Sequence, residues 1–165
     1  MTTANDGLLL ELLERVRNRF YGKYRGTVTQ IDNKTLRLKA KVPAVLADIE
    51  TGWCVACVPY AGNKVGMAFL PEPGAGVWIE FEGGDVSYPI WSGCYWRDGE
   101  TPDEADGTVK TFITGQDVKF ISGTQGSDSR VELTSDTASL KHGDSRTVVV
   151  DSDKVDVNGG ALEVT

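Results

Sequence analysis

The chain has 165 residues, a hydrophobic fraction of 40%, 19 glycines and a net charge of −7 at pH 7. That length allows one ordinary domain or two small ones, and the acidic balance argues against a surface that binds nucleic acid by neutralising phosphates. Three cysteines, Cys54, Cys57 and Cys94, make no disulfide framework and fit synthesis in a reducing compartment.

The chain opens with a predicted helix. In NDGLLLELLERVRNRFYG the residues Leu8, Leu12, Val16 and Phe20 recur four apart, with Leu9 and Leu13 beside them. Asn5 or Asp6 can cap its start, Gly22 can end it, and Glu11 and Arg15 form an i,i+4 pair. Glu11 and Glu14 interrupt the apolar run, and no basic residue precedes it. No signal peptide is expected, then, and synthesis in the cytoplasm is. No stretch reaches the length of a membrane span. The apolar stripe is wide for a solitary helix and should dock on its own barrel or on a partner.

Alternation follows. GTVTQID reads as a short strand, and TLRLKAKVP as a clear one, with Leu36, Leu38, Ala40 and Val42 on one face and Arg37, Lys39 and Lys41 on the other. AVLADIETG reads as a loop or short helix, WCVACVPY as a mostly apolar strand, and GVWIEFE and SYPIWSGCYW as a hairpin pair turning at GGD. Short strands bounded by Gly or Pro predict a small closed barrel or sandwich. Trp78, Phe81, Trp91 and Trp96 are expected to give its core bulk, and Pro89 to mark an edge or bulged position.

RDGETPDEADG is polar and turn-rich and reads as a linker. Beyond it, apolar pairs recur at i,i+2: Val118/Phe120, Val131/Leu133, Ala138/Leu140, Val148/Val150, Val155/Val157 and Leu162/Val164. Turn residues separate them. Each such strand exposes one narrow apolar face that a single chain does not cover. Copies of the chain would have to supply the missing walls, and three strands around an axis close a prism with the apolar residues inside.

The barrel stretch, above all VPYAGNKVGMAFLPEPGAGVWIEFEGGDVSYPIWSGCYW, resembles the phage baseplate assembly protein V family and the matching part of type VI secretion spike proteins. The shared pattern falls on Pro59, Tyr60, Ala61, Gly62, Leu70, Pro71, Gly74, Val77, Ile79, Phe81, Gly84, Asp85, Pro89 and Gly93. Two positions depart from it: DNKT stands where the family often has Asp-Pro and Gly, and Gly76 stands where an acidic residue is common. The resemblance covers about Gly26 to Trp96.

It implies an all-β protein with a short N-terminal helix: an oligonucleotide/oligosaccharide-binding (OB) barrel followed by a trimeric, intertwined β-helical shaft. The expected segments are a helix over 1–21, a barrel over 22–98, a linker over 99–107 and a shaft over 108–165. The implied role is the homotrimeric central spike of a contractile tail-like particle, assembled in its baseplate, without enzymatic activity or cofactor. A separate hub protein would sit above it, and the target membrane would be contacted mechanically. Val118, Phe120, Val131, Leu133, Leu140, Val148, Val150, Val155, Val157, Leu162 and Val164 are the trimer-core candidates. Leu162, Val164 and Thr165 are candidates for contact with a proline-alanine-alanine-arginine (PAAR)-like tip protein. The rival reading is a small OB module that binds nucleic acid or carbohydrate and carries an acidic tail.

Other features favour bland readings. Cys54 and Cys57 lie in a strand with no second C-x-x-C, so packing is preferred over zinc or redox chemistry. His142 stands alone in KHGD and reads as a turn or lining residue. Asp98, Glu100, Asp103, Glu104 and Asp106 lack calcium-loop spacing. The basic-aromatic RVRNRFYGKYR reads as structural in so acidic a chain.

Overall fold

The computed structural model describes residues 4–105, 107–123 and 127–164, and the backbone alone at Ala4, Asn5, Asp6, Arg15, Glu163 and Val164. Of the residues expected to matter, Asp106 and Thr165, and the side chains of Asn5, Asp6, Arg15 and Val164, lie outside the described residues. Two compact units divide the chain, Met1–Thr101 and Pro102–Thr165.

The first unit begins with helix α1, Ala4–Arg17. It ends before Gly22, so Phe20 is not part of its stripe. Phe20 instead joins the barrel, edge-on to Tyr24 and Phe81 at ring-centroid distances of 6.2 and 6.4 Å. Its N–H donates to the Gly84 carbonyl over 2.8 Å, and the Arg19 guanidinium reaches Asp85 at 3.0 Å. Gly84 is needed there. Its φ is +75°, and a Cβ would lie 3.0 Å from the Phe20 nitrogen.

The strands β1 (Tyr24–Asp32) and β2 (Arg37–Lys41) form an antiparallel hairpin with Ile31 opposite Leu38. Asp32 organises the turn: its carboxylate accepts from the Lys34 N–H at 2.9 Å and from the Thr35 hydroxyl at 2.6 Å. Leu36 has φ +53° and is exposed, while Leu38, Ala40 and Val42 are fully buried. The expected apolar face therefore loses its first member, because the turn takes Leu36 into the left-handed region.

A short helix α2, Pro43–Leu46, follows. The apolar WCVACVPY gives only the two-residue strand β3, Val55–Ala56. The segment is irregular because its two sides serve different neighbours. The N–H groups of Thr51 and Cys54 donate to the Ala40 and Leu38 carbonyls of β2 at 2.9 and 2.8 Å. On the other side β3 runs parallel to β7, with Ala56 opposite Trp91. A small hairpin, β4 (Ala61–Gly62) with β5 (Val65–Gly66), precedes the hairpin of β6 (Gly76–Phe81) and β7 (Pro89–Tyr95).

The sheet order is β2-β1-β6-β7-β3, and the bonds from Thr51 and Cys54 to β2 tie its two ends together. This is an OB-like five-stranded arrangement. The core is Val28, Leu38, Ala40, Val42, Cys54, Val77, Ile79, Phe81 and Trp91. Of the four expected core aromatics, Phe81 and Trp91 are inside. Trp78 alternates outward between Val77 and Ile79 and leans on Tyr95, and Trp96 is exposed just past the strand end. Pro89 occupies the first position of β7, where a missing N–H does least harm.

The second unit is an antiparallel meander of β8 (Val118–Ser122), β9 (Ser129–Leu133), β10 (Ala138–His142), β11 (Arg146–Val150), β12 (Val155–Val157) and β13 (Leu162–Val164). Each strand pairs with its sequence neighbours in one six-stranded sheet. One chain by itself thus forms an open sheet rather than a β-helix among the described residues.

Candidate assembly surfaces

The register of the meander sorts its side chains. Phe120, Val131, Leu140, Val148, Val157 and Leu162 stand directly opposite one another from strand to strand. Val118, Leu133, Ala138, Val150, Val155 and Val164 form a second such row. Directly opposed residues share a face. Val164 aside, the apolar positions singled out in the sequence therefore occupy two ladders on one side of one sheet. That side is uncovered in the single chain: Phe120, Leu140 and Leu162 are 60%, 56% and 58% exposed.

The other face reverses the usual order. Its buried residues are polar: Asp128, Glu132 and Ser139 are 2%, 8% and 6% exposed. Glu132 accepts from the Lys141 ammonium at 2.7 Å, with Lys119 and Arg130 each 3.7 Å away. The bond from Lys141, with the charges of Lys119 and Arg130, holds the Glu132 carboxyl below the usual carboxylate range. Arg130 Nε also donates to Asp128 over 2.7 Å. These groups come from three adjacent strands, so the ion network forms only in this register. Ser139 Oγ is buried there with no hydrogen-bond partner among the described residues.

A polar row borders the apolar ladders: Ser122 opposite Ser129, Ser129 opposite His142, His142 opposite Arg146. Ser129 Oγ and His142 Nδ1 are 2.8 Å apart, so the turn-side histidine has a hydroxyl partner that the sequence did not reveal.

The remaining candidates fall into place on the first unit. Cys54 is buried 3.3 Å from Thr51 Oγ1, and burial pushes its thiol pKa up; Cys57 is exposed. The expected strand does not hold them: Cys54 and Cys57 flank the two-residue β3, Cys54 bridged to Leu38 of β2. Among the described residues, no three His, Cys, Asp or Glu groups gather as metal ligands would. Glu100 turns back to its own segment, accepting from the Arg97 N–H at 2.7 Å. The basic residues after α1 are engaged in the barrel: Lys23 with Glu80 and Ser92, and Arg25 over the rings of Trp78 and Tyr95 at 5.7 and 5.1 Å.

Two further apolar surfaces are open. On α1, Leu8, Leu9, Leu10, Leu12, Leu13 and Val16 are 50–68% exposed, so the helix does not dock on its own barrel. Beside β3 and the 58–70 segment lies a groove of about 550 Å³ with Trp91 against it. Sequence periodicity flagged the helix but not the groove, whose apolar residues are spread over a turn, a two-residue strand and a hairpin.

Among the described residues, no helix is long and apolar enough to cross a membrane. No curated protein matches the chain. Residues 24–96 match the family model for the type VI secretion system/phage-baseplate injector OB domain, which spans all five barrel strands. The barrel is therefore similar to the injector OB domain of phage baseplates and type VI secretion systems.

Proposed function

We propose that the chain is a non-enzymatic spike subunit of a contractile particle, working as a homotrimer whose second unit is the shaft. The single observation that carries this reading is the inverted sheet, with apolar ladders outside and an ion network within. Burying a Leu or Phe side chain is worth about 1.5–3 kcal/mol. Two ladders left in water therefore favour association strongly. The strands β8 and β13 are also sheet edges, each with a single neighbour. Unpaired edges seek further strands, and intertwined copies of the same chain supply them. Val118 through Val164 of the two ladders would then line the trimer axis.

The role follows from the mechanics. Sheath contraction supplies the work, and interlocked strands transmit it because none can leave without breaking contacts to two others. The barrel faces a separate hub protein. A PAAR-like tip protein sits on the β13 edge, where exposed Leu162 offers the first contact. The alternative, a binding module for nucleic acid or sugar, would use the Arg25–Trp78–Tyr95 stack, but the net charge of −7 opposes the nucleic-acid form of it. Light scattering on the purified chain tests the proposal: about three chain masses are expected, and a monodisperse monomer would overturn it.

A further inference from the structure

The side of the meander that carries the ladders is not wholly apolar. Beyond the row of Phe120, Val131, Leu140 and Val148 runs a third row, Ser122, Ser129, His142 and Arg146. It lies on the same side by the same alternation. Successive rows are two residues apart, so the third is about 7 Å from its apolar neighbour. No Asp or Glu stands at any register position of this side. Glu132, Asp156 and Glu163 all fall at the alternate positions, in the row of Lys119.

Arg146 is thus the only permanent charge at the register positions of the ladder side. It is exposed and has no ion pair among the described residues. The acidic residues of the adjoining turns, Asp128 and Asp144, act on Arg130 instead. Asp128 accepts from Arg130 Nε at 2.7 Å, and Asp144 adds to the negative field around that guanidinium. The other groups of the row can donate. Ser129 Oγ and His142 Nδ1 are 2.8 Å apart. With the hydroxyl donating to Nδ1, the ring proton is on Nε2, a further donor.

In the trimer proposed above, the ladders are covered by the same side of the other two copies. The third row goes under cover with them. Three copies then bring together three guanidinium groups and no carboxylate from that side. Charges taken out of water without partners are strongly disfavoured. A small anion resolves the conflict. A guanidinium binds a tetrahedral oxyanion through two parallel N–H bonds, and hydroxyl and imidazole donors suit its remaining oxygens.

We propose that this third row is an anion site: in the assembled shaft, Arg146, His142, Ser122 and Ser129 of the three copies hold a small inorganic oxyanion of the phosphate or sulfate kind. The site rests on the trimeric reading, since a single chain leaves the row in water.

The test dialyses the full chain into a chloride buffer free of oxyanions, then adds inorganic phosphate at constant ionic strength. Saturating phosphate should raise the melting temperature of the trimer by about 5 °C. It should also broaden the phosphorus-31 resonance of the added phosphate. Arg146→Gln should abolish both effects. In the phosphate-free buffer the same variant should form a trimer at least as stable as the parent, because it deletes an uncompensated charge. Ser129→Ala should weaken phosphate binding severalfold without that gain. A trimer indifferent to phosphate overturns the site and leaves the trimer standing. A shift that survives Arg146→Gln means an adventitious ion only, and overturns it too. So does an Arg146→Gln chain that no longer assembles without phosphate, since the guanidinium would then be serving a protein partner. A monomer in light scattering removes the trimer and the site together.

Discussion

The two units solve the same problem in opposite ways. In the barrel, Val28, Leu38, Ala40, Val42, Val77 and Ile79 are buried by strands of the same chain. In the meander the alternation is as regular, yet the apolar ladders are exposed and the buried side chains are charged or polar. The barrel sheet closes because Thr51 and Cys54 link its ends; the meander has no such closing segment among the described residues. Closure, rather than composition, separates a unit that covers its own apolar face from one that leaves it in water. The proposed trimer would supply the cover that the meander lacks.

The contrast is open to attack by substitution. The largest effect is expected from Val150→Asp. In the proposed trimer it places three carboxylates in a narrow apolar interior, each costing several kcal/mol without a partner. Size-exclusion chromatography with light scattering should show loss of the trimer while the barrel stays folded; an unchanged, heat-resistant trimer would place the axis elsewhere.

In the barrel, Leu38→Ala removes a fully buried side chain and should cost about 2–5 kcal/mol. Denaturant unfolding followed by tryptophan fluorescence reads the barrel directly, since Trp53, Trp78, Trp91 and Trp96 all lie in the first unit. The oligomeric state should hold wherever the barrel still folds, which would separate the two units energetically.

Gly84→Ala is expected to cost about 1–3 kcal/mol, since it forces a side chain into φ +75° against the Phe20 nitrogen. Thermal melting should report the loss, and proteolysis after Arg17 or Arg19 should quicken as α1 is released. A variant as stable and as resistant as the parent would show that the Phe20 anchor does not matter.

The smallest effect concerns acid. Glu132 has its pKa lowered in the folded chain by Lys141, then by Lys119 and Arg130. A lowered folded pKa means a contribution that is present above the ordinary carboxylate value, about 4.3, and lost as pH falls through the folded one. Glu132→Gln should therefore flatten the acid side of the stability profile below about pH 5 and leave the neutral-pH oligomer unchanged. An identical acid limb in the two proteins would mean the network contributes register but no pH dependence.

Much of this was legible in the residues. Period-two alternation is a local property, so the i,i+2 pairs from Val118/Phe120 to Leu162/Val164 identified which residues of each strand share a side. The motif from Pro59 to Gly93 identified the barrel, because its glycines and prolines sit where the backbone must turn. Other features were set by partners distant in the chain. Leu36 fits the alternation, yet the Asp32 turn swings it out. Phe20 fits the helical stripe, yet Gly84 draws it into the barrel. WCVACVPY looks like a full strand, but bonds to β2 on one side and β7 on the other leave two residues of regular structure. The ladders needed the register to align them across six strands, and the Glu132 network needed three strands brought side by side. Sequence determines what each residue would prefer to face. Only the non-local hydrogen bonds of the tertiary structure decide what is there to be faced, and in the second unit they leave the apolar side to water.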